Sequence, residues 1–331
     1  MNILLSCVGR RGYLARWFRE SDPEVRVLGT SNSWWTAGFA DCDESHILPG
    51  LDSAQYADQV VDLCRRQGVD ALLSLFDRDL DVLSRAREQL ASVGTRAILP
   101  DPTTSATCLD KLAAARFMTR HGLPCVETFG DVAEVRAALD AGSISLPLIA
   151  KDRLGYASLG LQRVRTREQL EVAAASAPEG ALVFQPTSAG QEYSLDLLND
   201  LDGQPNVVAP KRKIRMRAGE TDQAETVSHP GLVELGVALA RSLQMPGPID
   251  VDLFVDGDDI RILEVNPRFG GGYPCTHLAG GDFPGRLVEM LRGGRPTPAI
   301  GTLPAGVRML KALSFVRADQ LPPAGHPEGP S

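Results

Sequence analysis

The sequence predicts an α/β domain with a doubly wound parallel sheet, followed by an α+β unit of two lobes. Apolar strand patterns alternate with helical patterns over the first hundred residues, which is typical of a parallel sheet. Later strands come in hairpins instead, and a Pro-rich stretch at residues 100–104 separates the two parts. We expect domains at residues 1–100, 101–182 and 183–315, and a disordered Pro- and Gly-rich tail within residues 316–331.

The first domain is predicted to contain five strands, each a short apolar run. They are expected over residues 2–8, 25–30, 47–48, 70–75 and 96–99, with helices over residues 13–19, 56–67 and 80–93. Because such sheets bind ligands at the carboxyl ends of their strands, the loops at residues 9–12, 30–33 and 76–79 are candidate contacts.

The loop at residues 9–12 has the Gly-x-x-Gly pattern of a dinucleotide loop, which alone is a weak signal. No acidic ribose partner follows the second strand, so a nicotinamide cofactor is not expected. Arg10 and Arg11 in this loop can hold an acidic group or form a solvated pair.

The second part begins with a helix over residues 106–121 that Ser105 caps. An apolar strand over residues 147–151 ends on Lys151, and a small-residue loop follows it. Further strands are expected over residues 181–185, 192–198 and 211–217, the last of them basic, with helices over residues 166–175 and 232–243.

A late hairpin carries the most informative residues. Its strands cover residues 249–255 and 260–266, and a period of two lets Asp250, Asp252, Glu264 and Asn266 share one face. Carboxylate and amide oxygens suit Mg²⁺, which keeps waters and binds substrate phosphates. Acidic hairpin residues are more often a solvated face, but Glu264 lies in an apolar strand, where an unpaired carboxylate is costly.

Composition restricts the classes of function. The net charge of −8 argues against nonspecific nucleic-acid binding, and no apolar run is long enough to span a membrane. The six cysteines form no C-x-x-C pair, which favours reduced thiols and a cytoplasmic location.

Taken in chain order, these motifs resemble the ATP-grasp superfamily, and in particular the short carbamoyl-phosphate-synthase-like ATP-grasp proteins of bacteria. The resemblance covers about residues 2–315. Its most specific stretches are residues 6–14 (SCVGRRGYL), Asp110-Lys111, residues 217–222 (RAGETD) and residues 264–274 (EVNPRFGGGYP).

The resemblance implies roles for individual residues. It assigns nucleotide binding to Lys111, Lys151, Ser158 of the flap, the hinge residues Gln185, Pro186 and Thr187, and Glu192 at the ribose. It assigns Mg²⁺, expected as two ions and replaceable by Mn²⁺, to Asp252, Glu264 and Asn266. Arg268, Arg217 and Lys213 are implied near the transferred phosphate. The substrate pocket is expected between Arg10 and Arg11 on one side and Gly271, Gly272 and Tyr273 on the other.

The implied activity is an ADP-forming ligase that joins a small-molecule carboxylate, an amino acid among the candidates, to an amine through an acyl phosphate. An ATP-grasp phosphotransferase and a nucleotide-binding regulator without turnover remain alternatives. Dimers are frequent among the relatives, although no residue pattern here predicts one. Glu220 and Asp222, candidates for accepting the amine proton, are expected in an exposed loop.

Overall fold

The computed structural model describes residues 1–155, 160–217 and 219–321. Residues 322–331, predicted to be disordered, and Ser158 of the predicted flap lie outside this range. No helix in the described ranges is long and apolar enough to cross a membrane. All six cysteines are free thiols.

A five-stranded parallel sheet forms the first domain, which confirms the predicted fold class. Its strands are β1 (Asn2–Ser6), β2 (Arg26–Ser31), β3 (Glu44–Ile47), β4 (Ala71–Ser74) and β5 (Arg96–Ala97). The order is β3–β2–β1–β4–β5, and each neighbouring pair is parallel. Residues of β1 alternate between two cores, with Leu4 in one and Ile3 and Leu5 in the other.

Helices cover both faces of this sheet. They are α1 (Gly12–Ser21), α2 (Tyr56–Gln67), α3 (Asp77–Arg85) and α4 (Arg87–Ser92), with a 3-10 helix at Ala37–Asp41. The α2 helix has the predicted bounds. The single helix expected over residues 80–93 is wrong, because the backbone leaves helical geometry at Ala86 (φ −94°, ψ 8°).

Three helices follow the first domain: α5 (Pro102–Leu109), α6 (Lys111–Arg120) and α7 (Val132–Asp140). The prediction of one helix capped by Ser105 is wrong. Asp101 caps α5 by accepting hydrogen bonds from the amides of Thr103 and Thr104, and Pro102 occupies the first turn. Asp110 caps α6 in the same way, so the chain bends just before Lys111.

A small antiparallel sheet comes next, in the order β7–β6–β8. Its strands are β6 (Leu148–Asp152), β7 (Gln162–Val164) and β8 (Leu182–Pro186), and α8 (Arg167–Ala175) lies between β7 and β8 in the chain. Buried apolar residues of α7 and α8, such as Val135 and Leu170, share a core with Leu148 and Phe184 of the sheet. This packing leaves Lys151 half-buried near the end of β6.

The larger sheet carries the acidic hairpin. Its strands are β9 (Gln191–Asn199), β10 (Pro205–Arg217), β11 (Glu220–Thr226), β12 (Gly247–Asp256), β13 (Asp259–Asn266), β14 (Ala299–Ile300) and β15 (Arg308–Leu310). The order is β13–β12–β9–β10–β11–β15, with β14 beside β10. Strand β11 was not predicted, and Glu220 and Asp222 lie on it rather than in an exposed loop.

The remaining helices are α9 (Pro230–Leu243), α10 (Tyr273–Leu278) and α11 (Phe283–Leu291), with a 3-10 helix at Ala318–Gln320. The α11 helix packs on α1, and Leu287 shares a core with Phe18 and Phe269. This core presses the loop that follows β13 against the carboxyl ends of β1 and β4.

Candidate active site

A cleft of about 800 Å³ lies where the three units meet. The small sheet, the acidic hairpin and the first domain each contribute charged or polar residues to its lining. The small sheet contributes Lys151 and Gln185, and the first domain contributes Arg11 and Asp77. The hairpin contributes Asp250, Asp252, Glu264 and Asn266.

The hairpin brings the four residues onto one face, as predicted. Asp252 lies directly opposite Glu264, and Asp250 opposite Asn266, so the four side chains share one face. The register then shifts, because Leu253 pairs with Ile262, and the extra residue Leu263 lines the cleft.

Lysines already neutralise the two facing carboxylates. The Nζ of Lys213 lies 2.5 Å from Asp252 Oδ1 and 3.9 Å from Glu192 Oε2. Burial alone would lower the pKa of Lys213, but Asp252 and Asp250 raise it above the ordinary value, so this amine stays charged. The Nζ of Lys111 lies 3.7 Å from Glu264 Oε1 and donates to the carbonyl of Gly155.

Lys151 lines the same cleft, and burial lowers its pKa although Glu264 opposes that effect. Lys111, Lys151 and Lys213 therefore surround the hairpin carboxylates. The lysines could bind an anionic ligand while the carboxylate oxygens bind a cation.

Asp250 is a cleft residue that the sequence placed on this face without giving it a role. Burial, together with the neighbouring Asp252, raises the pKa of Asp250 to about 7. A Cβ at position 270 would lie 2.3 Å from Asp250 Oδ1, so only glycine lets the loop after β13 pass this carboxyl group.

Two arginines join the first domain to this loop. Arg268 donates from Nε (3.0 Å) and Nη2 (2.8 Å) to Asp77 Oδ2 at the start of α3, and its Nη1 lies 3.8 Å from Asp250 Oδ2. Arg11 donates from Nη1 to the carbonyls of Leu75 (3.1 Å) and Phe269 (2.9 Å). Sequence reasoning named Arg11 and Arg268 individually, whereas Asp77 was included only within the candidate loop at residues 76–79, without a role of its own.

The predicted hinge residues 185–187 also line the cleft, and two of their side chains form hydrogen bonds within the protein. Gln185 donates to the hydroxyl of Thr128 (2.8 Å), and Thr187 donates to the carbonyl of Pro147 (3.1 Å). Pro186 and Glu192 complete this edge of the cleft.

Four other predicted residues do not line the cleft. Arg10 and Arg217 are exposed and lie near Glu220 and Asp222 respectively. Gly272 packs on the side chain of Lys211, where a Cβ would lie 2.8 Å from Cε. The Tyr273 ring is buried, and its hydroxyl donates to the carbonyl of Gly281. Of the three predicted residues Gly271, Gly272 and Tyr273, only Gly271 borders the cleft.

The donor set decides which metal ions fit. In the described ranges, no group of three or more His, Cys, Asp and Glu side chains is arranged to hold a metal ion. Asp252, Glu264 and Asn266 instead supply hard oxygens from one face, which fits Mg²⁺ bound jointly with waters and phosphate oxygens. These three side chains are too few to hold a metal ion without such additional ligands.

Comparisons with known families agree with this architecture. Residues 3–98 match the family model of the PylC-like N-terminal domain. Residues 179–313 match the model described as ATP-grasp in the biosynthetic pathway with Ter operon. No curated protein sequence matches the chain significantly.

Solved structures share the fold at low sequence identity. The biotin carboxylase domain of Hydrogenobacter thermophilus 2-oxoglutarate carboxylase, solved with MgADP, ADP and bicarbonate, is 18% identical with a TM-score of 0.74, over 93% of this chain and 73% of that one. Biotin carboxylase from Campylobacter jejuni is 16% identical with a TM-score of 0.73, over 93% and 74%. N5-carboxyaminoimidazole synthetase from Staphylococcus aureus, complexed with ADP, is 14% identical with a TM-score of 0.71, over 90% and 78%.

Proposed function

Because the chain combines a PylC-like N-terminal domain with an ATP-grasp domain, we propose that it is an ATP- and Mg²⁺-dependent ligase that forms ADP. Its substrates would be a small-molecule carboxylate and an amine, joined through an acyl phosphate. The observation that carries this proposal is the convergence of three lysines, the hairpin carboxylates and Arg268 on one cleft.

The nucleotide would lie between the small sheet and the hairpin. Lys111 and Lys151 would bind its phosphates, the backbone of residues 185–187 its base and Glu192 its ribose. Ser158 would contribute from the flap. Solved structures with the same fold contain ADP or MgADP, which supports nucleotide binding by this chain. Mg²⁺, held by Asp252, Glu264 and Asn266, would neutralise triphosphate charge.

In the first step a substrate carboxylate oxygen attacks the γ-phosphorus, and the bond to the ADP oxygen breaks. Arg268 and Lys213 would stabilise the charge that spreads over the phosphoryl oxygens. Arg268 is well suited to this, because two hydrogen bonds to Asp77 fix the orientation of its guanidinium. In the second step the amine attacks the acyl carbon, phosphate leaves and the amine loses a proton.

The test is a screen for phosphate release with ATP, Mg²⁺ and paired acids and amines, with mass spectrometry of the products. We expect release that needs both organic substrates, and an amide with the mass of acid plus amine minus water. ADP formation with a stable phosphorylated product and no free phosphate would identify a phosphotransferase instead. Nucleotide binding without turnover in every pair would favour a regulator.

A further inference from the structure

A group of positive charges at the first-domain end of the cleft shares one carboxylate. Glu220 Oε2 lies 3.1 Å from Lys311 Nζ and 3.8 Å from Arg10 Nη2, and Glu220 Oε1 lies 3.9 Å from Arg11 Nη2. The charge of the neighbouring Arg268 is already matched by Asp77. Three cations thus face one anion beside the cleft.

Arg11 is the cation in this group that directly lines the cleft. Its Nη1 is used by two backbone carbonyls, whereas its Nη2 donates no hydrogen bond within the described ranges, and Glu220 at 3.9 Å is beyond hydrogen-bond distance. Burial, and then the nearby charge of Arg268, lowers the pKa of Arg11. A buried guanidinium beside another one is unfavourable unless an anion balances it.

Glu220 does not remove this excess. Burial would raise its pKa, but Lys311 and Arg11 lower it below the ordinary value, so Glu220 is ionised at neutral pH and contributes one negative charge only. Beside it, Gly271 has no side chain, and a Cβ there would lie 3.5 Å from Glu220 Cβ. Arg11, Glu220 and Gly271 all line the cleft of about 800 Å³, so ligand atoms in the cleft can approach Arg11.

We propose that the organic acid bound in this cleft carries a second anionic group, which Arg11 and Lys311 bind. The inference rests on the proposed function, in which Arg268 stabilises the transferred phosphoryl group, so that the carboxylate attacking it lies nearby. Arg11 stands next to Arg268, so two anionic groups of one small molecule would meet two neighbouring guanidinium groups. A fork of N–H donors suits a carboxylate and a phosphate equally.

Calorimetric titration of the full chain tests this, with matched pairs of acids as probes. Succinate is compared with butyrate, glutarate with valerate, and phosphoglycolate with glycolate, each with and without MgADP. We expect at least one probe with a second anionic group to bind about tenfold tighter than its matched monoanion, as one additional charge-assisted contact implies. Preference for phosphoglycolate alone would identify the second group as a phosphate, and preference for succinate or glutarate would identify it as a carboxylate.

Three variants test whether Arg11 and Lys311 cause the preference for the second anionic group. Arg11→Gln and Lys311→Gln should each reduce it to less than about threefold. Arg308→Gln, which removes a charge three residues before Lys311 on the same segment, should leave it intact. Lys311 is near the surface, so its variant keeps the test decisive if Arg11→Gln does not fold.

Equal binding of matched probes with one and with two anionic groups to the unaltered protein, including no binding of either, would overturn the inference. So would a preference that survives in both Arg11→Gln and Lys311→Gln. Failure of the unaltered protein to bind MgADP would contradict the proposed function instead, because the titrations without nucleotide still measure the anion preference.

Discussion

Two of the carboxylate-containing clusters in this protein differ in their access to a ligand. The hydroxyl cluster (Ser6, Tyr56, Ser74 and Asp79) is sealed inside the first domain: Asp79 is fully buried and accepts hydrogen bonds from Tyr56 (2.7 Å) and Ser74 (2.6 Å). The hairpin cluster (Lys111, Lys213, Asp252 and Glu264) lines the cleft.

The difference lies in how each carboxylate is satisfied. Neutral hydroxyls from the same domain hold Asp79, so its contacts support the fold and leave no oxygen for a ligand. Lys213 and Lys111 hold Asp252 and Glu264, and because all four residues line the cleft, a ligand can replace these charged partners. Access, more than acidity, separates a candidate site from a structural cluster.

Glu264→Ala should give the largest effect on activity. We expect turnover to fall by about 1000-fold or more, because the variant lacks a carboxylate that, in the proposed function, holds the Mg²⁺ at the transferred phosphate. Stability should change by less than about 1 kcal/mol, since Glu264 is partly exposed. Phosphate release and urea unfolding measure the two quantities.

Glu225→Ala is the matched control for this variant. Glu225 is a carboxylate on the same sheet that pairs with Arg212 and Arg308 outside the cleft. Its loss should leave turnover unchanged. Normal activity in a folded Glu264→Ala protein would remove the hairpin cluster from the site.

Arg268→Lys should have the next largest effect. The variant keeps the charge but loses the two hydrogen bonds to Asp77, so the cation is no longer fixed at the phosphate. We expect kcat/KM to fall about 100-fold, in the range for loss of one oriented donor. A drop of less than threefold would show that the tie to Asp77 is unnecessary for catalysis.

Asp79→Ala should affect stability rather than activity. It leaves the hydroxyls of Tyr56 and Ser74 without their acceptor in a buried site, which should cost about 2–4 kcal/mol in urea unfolding. Turnover per folded molecule should be retained. If turnover per folded molecule fell as far as is expected for Glu264→Ala, the distinction between the hydroxyl cluster and the hairpin cluster would be wrong.

The smallest effect is expected from Asp79→Asn, as a change in pH dependence. Burial raises the pKa of Asp79 above its ordinary value, despite hydrogen bonds that lower it. The protonated form is therefore favoured by folding, and the unaltered protein should gain stability relative to Asp79→Asn as pH falls through the folded-state pKa. The gain should level off below about pH 3.9, the pKa of an unfolded chain. Parallel curves would show that Asp79 keeps an ordinary pKa.

The sequence was sufficient where one strong periodicity decided the structure. Alternation placed the four hairpin side chains on one face, and the alternation of strands and helices predicted the parallel sheet. The order of motifs then predicted the fold class that the comparisons support.

Strand β11 was missed because most of its buried residues are polar. Thr221, Asp222 and Thr226 are buried there, and these residue types indicate a loop when they are considered alone. The split at Asp110 was missed although the signal existed, since Asp is a strong N-cap; the helical pattern on both sides concealed it.

Pairings between distant residues could not be predicted. Asp77 and Arg268 meet only because α11 packs on α1 and brings the two loops together. Tyr273 occupies a motif that suggests ligand contact, yet its ring fills the space between Phe269 and Phe283. Side-chain direction there depends on the core rather than on the motif.

The hydrogen bonds between Arg268 and Asp77 join positions 191 residues apart, which has consequences for folding during translation and for recombination between genes. During translation the first domain emerges and can fold long before Arg268 is made, so the cleft is among the last parts to form. A recombination event that exchanged the first hundred residues would preserve activity only if the incoming segment brought an acid to the same place.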